Sequence, residues 1–217
     1  MPGKCGKKCA FWSKYNECFG CSYQHAVVKL KVSMKDDALT GWAKREIDKW
    51  LFKKSSSRRS KGGRQSIEPI LREILTKAHE KQNSFPQVDI LSKSRTTVNL
   101  ILGGKPTKHS IKHDGAFKVH GTTDRIMFIE CKGYGTDTNS LYSCIFASRL
   151  ARKKREFEDA LFYYISIQDR SEFVGDNATE GIRTIARWAE ERKIITGFYG
   201  LADLNDWFNS IRREAKS

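Results

Sequence analysis

The clearest helical pattern in the chain lies just after its first third. Apolar residues recur there at helical spacing and form one continuous stripe, made of Ile67, Ile70, Leu71, Ile74, Leu75 and Ala78. Pro69 is tolerated only in the first turn of a helix, so the pattern predicts a helix that begins near Ser66. Glu68 then lies in that first turn, where a carboxylate complements the helix dipole.

A strand-rich block follows this helix. The apolar run 98–102 ends at a pair of glycines and predicts a first strand. Two further strands are predicted over 113–120 and 125–132. The turn residues between them, 121–124, predict that these two strands form a hairpin.

The rest of the chain alternates helices with strands. Helices are predicted over 141–159, 182–192 and 204–215, and strands over 161–167 and 194–199. With the preceding segments, the order is helix, three strands, helix, strand, helix, strand, helix. This order predicts an α/β fold built on a mixed sheet.

The first third of the chain has a different pattern. Residues 26–32 alternate apolar and basic side chains, as a half-exposed strand does, and a helix is predicted from Asp36 or Asp37 to Phe52. The next segment, 53–64, is polar, strongly basic and contains glycine and serine, as a flexible linker does. We therefore predict two domains, residues 1–65 and residues 66–217.

Charge is the compositional feature that bears on function. The 217 residues carry 40 lysines and arginines against 25 acidic residues, a formal net charge of +15, and most of the excess lies in 1–65. Nucleic acid is the expected partner, although a basic arm that only aids solubility would have the same composition. No apolar run reaches the roughly 18 residues of a membrane helix, and the first residues lack the apolar segment of a secretory signal. A cytoplasmic protein is therefore expected.

Four of the six cysteines lie close together near the start of the chain. Cys5, Cys9, Cys18 and Cys21 form two close pairs, a spacing that can surround one tetrahedral metal ion. Disulfides are disfavoured inside cells, but spacing does not separate zinc from iron. Because four ligands close the coordination shell, we expect a structural Zn²⁺ that stabilises a small N-terminal domain.

The residues with the clearest chemistry lie on the predicted hairpin. Asp114 precedes one strand, and Glu130 and Lys132 lie near the end of the next. Residues two apart in a strand share a face, so Glu130 and Lys132 should project together while Cys131 points into the core. Two carboxylates, a backbone carbonyl and water suit Mg²⁺, and a nearby lysine could orient or deprotonate water. A Glu–Lys ion pair at a strand end has the same spacing.

These segments resemble the PD-(D/E)xK nuclease superfamily, which includes many restriction endonucleases and the archaeal Holliday-junction resolvases. The resemblance rests on His113-Asp114-Gly115 and on the run from Phe128 to Gly133, with His113 at the position of the family's proline. The opening of the helix near Ser66 also looks like the family's first core helix. The resemblance covers residues 66–168 and implies a restriction-endonuclease-like αβββαβ core.

The resemblance also implies residue roles. Asp114 and Glu130 would bind Mg²⁺ with the Cys131 carbonyl as a third ligand, and Lys132 would position or activate water. Glu68 would join the site from the helix, with Glu73 as its rival. Basic residues of the linker and of the helix after the hairpin are expected to contact DNA: Arg58, Arg59, Lys61, Arg64, Arg149, Arg152 and Lys153. A solvated helix face explains the last three equally well.

Together these features predict a sequence-specific DNA endonuclease of the restriction type that hydrolyses phosphodiester bonds with Mg²⁺. Double-stranded DNA is the expected substrate, and a homodimer is the simplest way to cut both strands. A structure-specific, repair or mobile-element nuclease is one alternative. A non-catalytic, zinc-containing nucleic-acid-binding protein is the other.

Overall fold

The structure is a computed structural model that describes residues 30–55, 67–92, 95–132, 138–167, 170–175 and 178–217. The α-helices are α1 (Ala38–Ser55), α2 (Glu68–Lys81), α3 (Thr138–Ala151), α4 (Ser171–Val174), α5 (Glu180–Glu191) and α6 (Leu204–Lys216). The strands are β1 (Val88–Ile90), β2 (Arg95–Leu102), β3 (Lys105–Lys112), β4 (Gly115–Val119), β5 (Arg125–Lys132), β6 (Leu161–Ser166) and β7 (Gly197–Gly200).

Five of these strands form the central sheet, in the order β1-β4-β5-β6-β7. β4 runs antiparallel to both of its neighbours, whereas β5, β6 and β7 are parallel to one another. Parallel neighbours need crossover connections, and α3 and α5 lie in those connections. The predicted α/β fold with a mixed sheet is confirmed.

Helices cover both faces of the sheet. α1, α2 and α6 bury Leu39, Leu71 and Trp207 in one hydrophobic cluster. On the other face, α3 and α5 bury Ile145 and Ala186 in a second cluster. β6 lies between the two clusters, and all six of its residues are buried. A strand covered on both faces requires a nearly continuous apolar run, which is why this strand was predictable.

β2 and β3 form a separate two-stranded sheet, the ribbon. The ribbon is inserted between two adjacent strands of the central sheet. The Leu91 N–H donates to the Ala116 carbonyl at 2.9 Å, so the chain leaves the sheet and returns to it at paired positions. The ribbon turn holds Gly103 and Gly104 at φ 57° and 76°, a region that glycine adopts without strain.

The ribbon is fixed to the rest of the molecule at its base. Val98 and Ile111 form a small buried cluster with Leu150 of α3. On β2 the buried residues alternate with exposed ones, so one face of the ribbon packs against α3 and the other faces solvent.

One predicted strand lies in a different sheet from the one expected, and one strand was missed. The apolar run 98–102 belongs to the ribbon and not to the central sheet, because Val98 and Leu100 pack against a helix rather than in a sheet core. The edge strand of the central sheet is β1 (Val88–Ile90), which was not predicted. Its three residues are too few to produce a recognisable alternation, and pairing with β4 creates the strand.

Other element boundaries also differ from the prediction. The helix predicted over 141–159 ends at Ala151, where the chain turns and the Arg152 guanidinium donates to the Ala160 carbonyl at 3.1 Å and to the Lys193 carbonyl. A short 3₁₀ turn follows at Arg155–Phe157. The strand predicted over 194–199 begins at Gly197. Of the strand predicted over 26–32, the part that the structure describes has no regular secondary structure.

α1 is built into the same core as α2 and α6. Its residues Leu39, Ala43, Ile47 and Leu51 belong to the first hydrophobic cluster, and the Leu30 N–H donates to Asp48 Oδ1 at 2.8 Å. The predicted boundary at residue 65 lies outside the described residues, as does the predicted zinc-binding segment. α1, α2 and α6 therefore share one hydrophobic core.

Candidate active site

Asp114 lies against the end of β5. Its Oδ2 accepts a hydrogen bond of 2.7 Å from the backbone N–H of Cys131. The register of β4 and β5 pairs Gly115 with Ile129, so Asp114 lies one position beyond that pair, opposite Glu130. The structure therefore brings Asp114 to the strand segment that carries Glu130.

β5 directs alternate residues to opposite faces of the sheet. Ile129 and Cys131 lie in the cluster beneath α1 and α2, whereas Phe128 lies in the cluster beneath α3. Cys131 is 7% exposed and points into the core, in the direction that the strand alternation predicts. Glu130 is half-buried and shares the face of Phe128 by the same alternation.

A small cavity lies beside Glu130. His113, Phe128, Cys144 and Phe162 line it together with the glutamate. Apolar and aromatic walls lower the local dielectric constant on this side of the carboxylate. A cation bound there would be attracted to Glu130 more strongly than in bulk water.

His113 is packed immediately before Asp114. Its side chain is 4% exposed, its ring centroid is 4.2 Å from that of Phe128, and its Nε2 is 3.1 Å from Thr96 Oγ1. Burial lowers the pKa of His113 to about 4, so the ring is neutral at pH 7. This packed, neutral ring fixes the chain where it enters β4.

The two candidate glutamates of α2 have different surroundings. Glu68 opens the helix, pairs with Arg72 at 2.5 Å and has a side chain that is 24% exposed. Glu73 pairs with Lys77 at 2.7 Å and is 56% exposed. Glu68 is therefore the more buried of the two, and the choice between them as a site residue stays a prediction.

Lys132 is the last residue of β5, and its backbone is in register with Ser166 of β6. The placement of its side chain lies outside what the structure describes. The expectation that Lys132 positions or activates water therefore stays a prediction.

The hairpin places two carboxylate residues close to each other in the strand register. Within the described ranges, no three His, Cys, Asp or Glu residues are grouped so that they could hold a metal ion. The hairpin does bring together two carboxylate residues, Asp114 and Glu130, and the backbone of Cys131. Mg²⁺ prefers oxygen ligands and commonly binds through one or two carboxylates while it keeps several waters. Direct ligation by Glu68 stays a prediction.

The predicted DNA contacts on and after α3 divide into two groups. Arg149 and Lys153 are exposed. Arg152 instead donates to two backbone carbonyls, and its guanidinium lies 5.0 Å from the centre of the Phe162 ring. Burial lowers the pKa of Arg152. The structure thus gives Arg152 a role in holding the end of α3, whereas Arg149 and Lys153 face solvent.

Two groups of predicted residues lie in parts of the chain that the structure does not describe. One is the zinc ligand set, Cys5, Cys9, Cys18 and Cys21. The other is the basic linker set, Arg58, Arg59, Lys61 and Arg64. Both assignments stay predictions.

The ribbon is the feature near the site that the sequence interpretation missed. Its second strand ends at Lys112, two residues before Asp114. A Gly-Gly pair between two strand-like runs is a recognised hairpin signal and could have revealed it.

Comparison of the chain with protein-family models, curated proteins and solved structures found no match. Among the described residues, no helix has the length and apolarity needed to cross a membrane.

Proposed function

We propose that the chain is a Mg²⁺-dependent endodeoxyribonuclease of the restriction type, which hydrolyses phosphodiester bonds of double-stranded DNA at specific sequences. The observation that carries this proposal is the hydrogen bond from the Cys131 N–H to the Asp114 carboxylate. It joins the segment that begins β4 to the segment that ends β5. A PD-(D/E)xK site requires its acidic residues at this junction.

The order of elements supports the same proposal. When the inserted ribbon is set aside, α2, β1, β4, β5, α3 and β6 follow the order helix, three strands, helix, strand. This is the αβββαβ order of the restriction-endonuclease-like core. Asp114 immediately precedes the second of these strands and Glu130 lies on the third, the arrangement that the resemblance implies.

In this proposal the hairpin positions the reacting groups. Asp114 and Glu130 would hold Mg²⁺, which polarises the phosphoryl oxygen and stabilises the leaving oxygen when it is bound. The Cys131 N–H fixes the Asp114 carboxylate, whose oxygens can each accept more than one contact. Lys132 would position or activate the attacking water. Glu68 would add a carboxylate that orients a second water.

The assembly and the N-terminal segment complete the proposal. A homodimer would present one site to each strand of a two-fold symmetric duplex. Cys5, Cys9, Cys18 and Cys21 would bind a structural Zn²⁺ and stabilise the basic N-terminal segment beside the DNA.

Cleavage of a long mixed-sequence duplex tests the proposal. With Mg²⁺ the purified protein should give discrete fragments, and with Ca²⁺ or EDTA it should give none. Asp114→Asn keeps an acceptor for the Cys131 N–H but removes the negative charge that attracts the cation. We expect it to cut at least about 100-fold more slowly, measured as the initial rate of fragment formation.

Asp124→Asn is the matched control, because it removes the same charge near the opposite end of the same hairpin. Asp124 is 45% exposed and pairs with Lys118. Its variant should cut within about threefold of the wild-type rate, as expected for an exposed ion pair. A folded Asp114→Asn protein that cuts at the wild-type rate would refute the site assignment. Fragments of every length, without discrete bands, would indicate a nuclease that does not read sequence.

A further inference from the structure

Three facing pairs of polar residues on the ribbon are exposed to solvent. The register pairs Arg95 with Lys112, Thr97 with Ser110 and Asn99 with Lys108. All six residues are exposed, and they alternate on β2 with the buried residues that face α3. These six residues form the ribbon face.

The composition of the ribbon face suits nucleic acid. Three of its residues are basic, and the other three carry a hydroxyl or an amide group. No acidic residue occurs anywhere in 95–112. Exposed lysines also discourage unwanted pairing of strand edges, but that purpose does not require a column of hydrogen-bonding side chains between them. Lysine and arginine can pair with guanine, asparagine with adenine, and serine or threonine with either base.

The dimensions of the ribbon select one groove of the duplex. Two strands lie about 4.8 Å apart, so a two-stranded ribbon with its side chains is roughly 10 Å wide. The major groove of B-DNA is about 12 Å wide and admits such a ribbon, whereas the minor groove is about 6 Å wide and does not.

The position of the ribbon connects it to the candidate active site. Its base is held by the contact between Thr96 and His113 and by the packing of Ile111, and β3 ends two residues before Asp114. At about 3.3 Å per residue, Lys108 lies at most roughly 20 Å along the strand from Asp114. That length corresponds to about six base pairs at 3.4 Å each.

We propose that the ribbon face lies in the DNA major groove and reads base edges within about six base pairs of the phosphate at the active site. The proposal rests on the proposed function for the identity of the substrate. It assigns sequence readout to an insertion in the sheet, separate from the residues that would bind Mg²⁺.

The test measures binding and not cleavage. Wild-type protein is mixed with a pool of randomised duplexes in Ca²⁺, and the preferred sequence is recovered and compared with a scrambled duplex. The double variant Asn99→Ala/Lys108→Ala removes one facing pair of the ribbon face. We define the preference as the ratio of the affinity for the selected sequence to the affinity for the scrambled duplex. We expect this ratio to fall at least about 10-fold in the variant, while its affinity for the scrambled duplex falls less than about fivefold.

A matched double variant controls for charge and side-chain type. Lys77→Ala/Asn83→Ala removes one exposed lysine and one exposed asparagine outside the ribbon, and it should keep the wild-type preference. Thermal melting verifies that both proteins are folded. Methylation of guanine N7, which lies in the major groove, should weaken wild-type binding at the preferred sequence and have less effect on the ribbon variant.

The outcomes separate this proposal from the proposed function. An unchanged preference in the ribbon variant overturns the ribbon proposal, and so does wild-type binding that has no preference among duplexes. If the protein still cuts DNA with Mg²⁺ in either case, the proposed nuclease function remains supported. A preference that depends on the ribbon, found in a protein that cuts no DNA, supports the ribbon and overturns the nuclease.

Discussion

Protonation of His113 is coupled to folding. In the unfolded chain this histidine has an ordinary pKa of 6.5, whereas burial among Phe128 and Phe162 lowers it to about 4 in the folded protein. Between these two values the unfolded state binds more protons than the folded state. The stabilisation from keeping His113 neutral is therefore complete above pH 6.5 and is lost as the pH falls toward 4.

Urea unfolding at two pH values measures this coupling. When the pH is lowered from 7.5 to 5.0, we expect the protonation of His113 to lower the free energy of unfolding of the wild-type protein by roughly 2 kcal/mol. His113→Phe keeps a ring of similar shape but has no titrating group, so its loss over the same interval should be smaller by that amount. His109→Asn, which changes an exposed histidine, should keep the wild-type loss. Equal losses of unfolding free energy in all three proteins would show that His113 does not cause the pH dependence.

The hairpin is fixed at its turn by the C-terminal helix. The Thr122 N–H donates to the Ala215 carbonyl at 2.8 Å, and Arg125 pairs with Glu214 at 2.6 Å. A Cβ atom on Gly121 would lie 2.1 Å from the Ala215 carbonyl oxygen. Because that neighbour is backbone, it can move only if the end of α6 moves with it.

Gly121→Ala should therefore lower the free energy of unfolding by about 1–3 kcal/mol, the usual cost of overpacking. Gly181→Ala is the control, since a Cβ there has no neighbour within 4 Å. It lies in α5, where alanine is the better helix former, so it should raise stability by up to about 1 kcal/mol. Urea titration of both variants measures the difference. A Gly121→Ala protein as stable as the wild type would show that α6 is not held at this turn.

The success of the sequence interpretation differed between elements for physical reasons. α2 and α6 carry long apolar stripes, and their predicted bounds are close to those observed, because periodicity over three or more turns is distinctive. β1 was missed and 98–102 was assigned to the wrong sheet, because strand pairing decides both and a short apolar run does not reveal its partner. In the candidate site, alternation along β5 predicted where Cys131 points. The bond from its N–H to Asp114 depends on register, which the sequence does not display.

At the scale of the whole molecule, α1 makes the core continuous from residue 30 to the C-terminal helix. Leu39, Ile47 and Leu51 are at most 4% exposed, and Asp37 pairs with Arg212 of α6 at 2.6 Å. Burial of three such side chains stabilises a protein by about 5–9 kcal/mol. That amount is comparable with the total stability of a typical domain, about 5–15 kcal/mol.

Two shortened chains test where the folded unit begins. Residues 30–217 should melt cooperatively near the midpoint of the full chain, followed by circular dichroism. Residues 66–217, which lack α1, should show no cooperative transition, because the apolar faces of α2 and α6 lose their cover. A cooperative transition of 66–217 at the full-chain midpoint would instead favour the domain boundary predicted at residue 65.

The insertion of the ribbon at the Leu91–Ala116 pairing has a consequence for how this protein could diverge. The cost of closing a loop grows only by about 0.6 kcal/mol for each doubling of its length. A longer, shorter or differently composed ribbon would therefore leave the pairing of β1 with β4 intact, and with it the positions of Asp114 and Glu130. Under the proposed function, exchange of this single surface segment would give a relative a new target sequence and leave its active site unchanged.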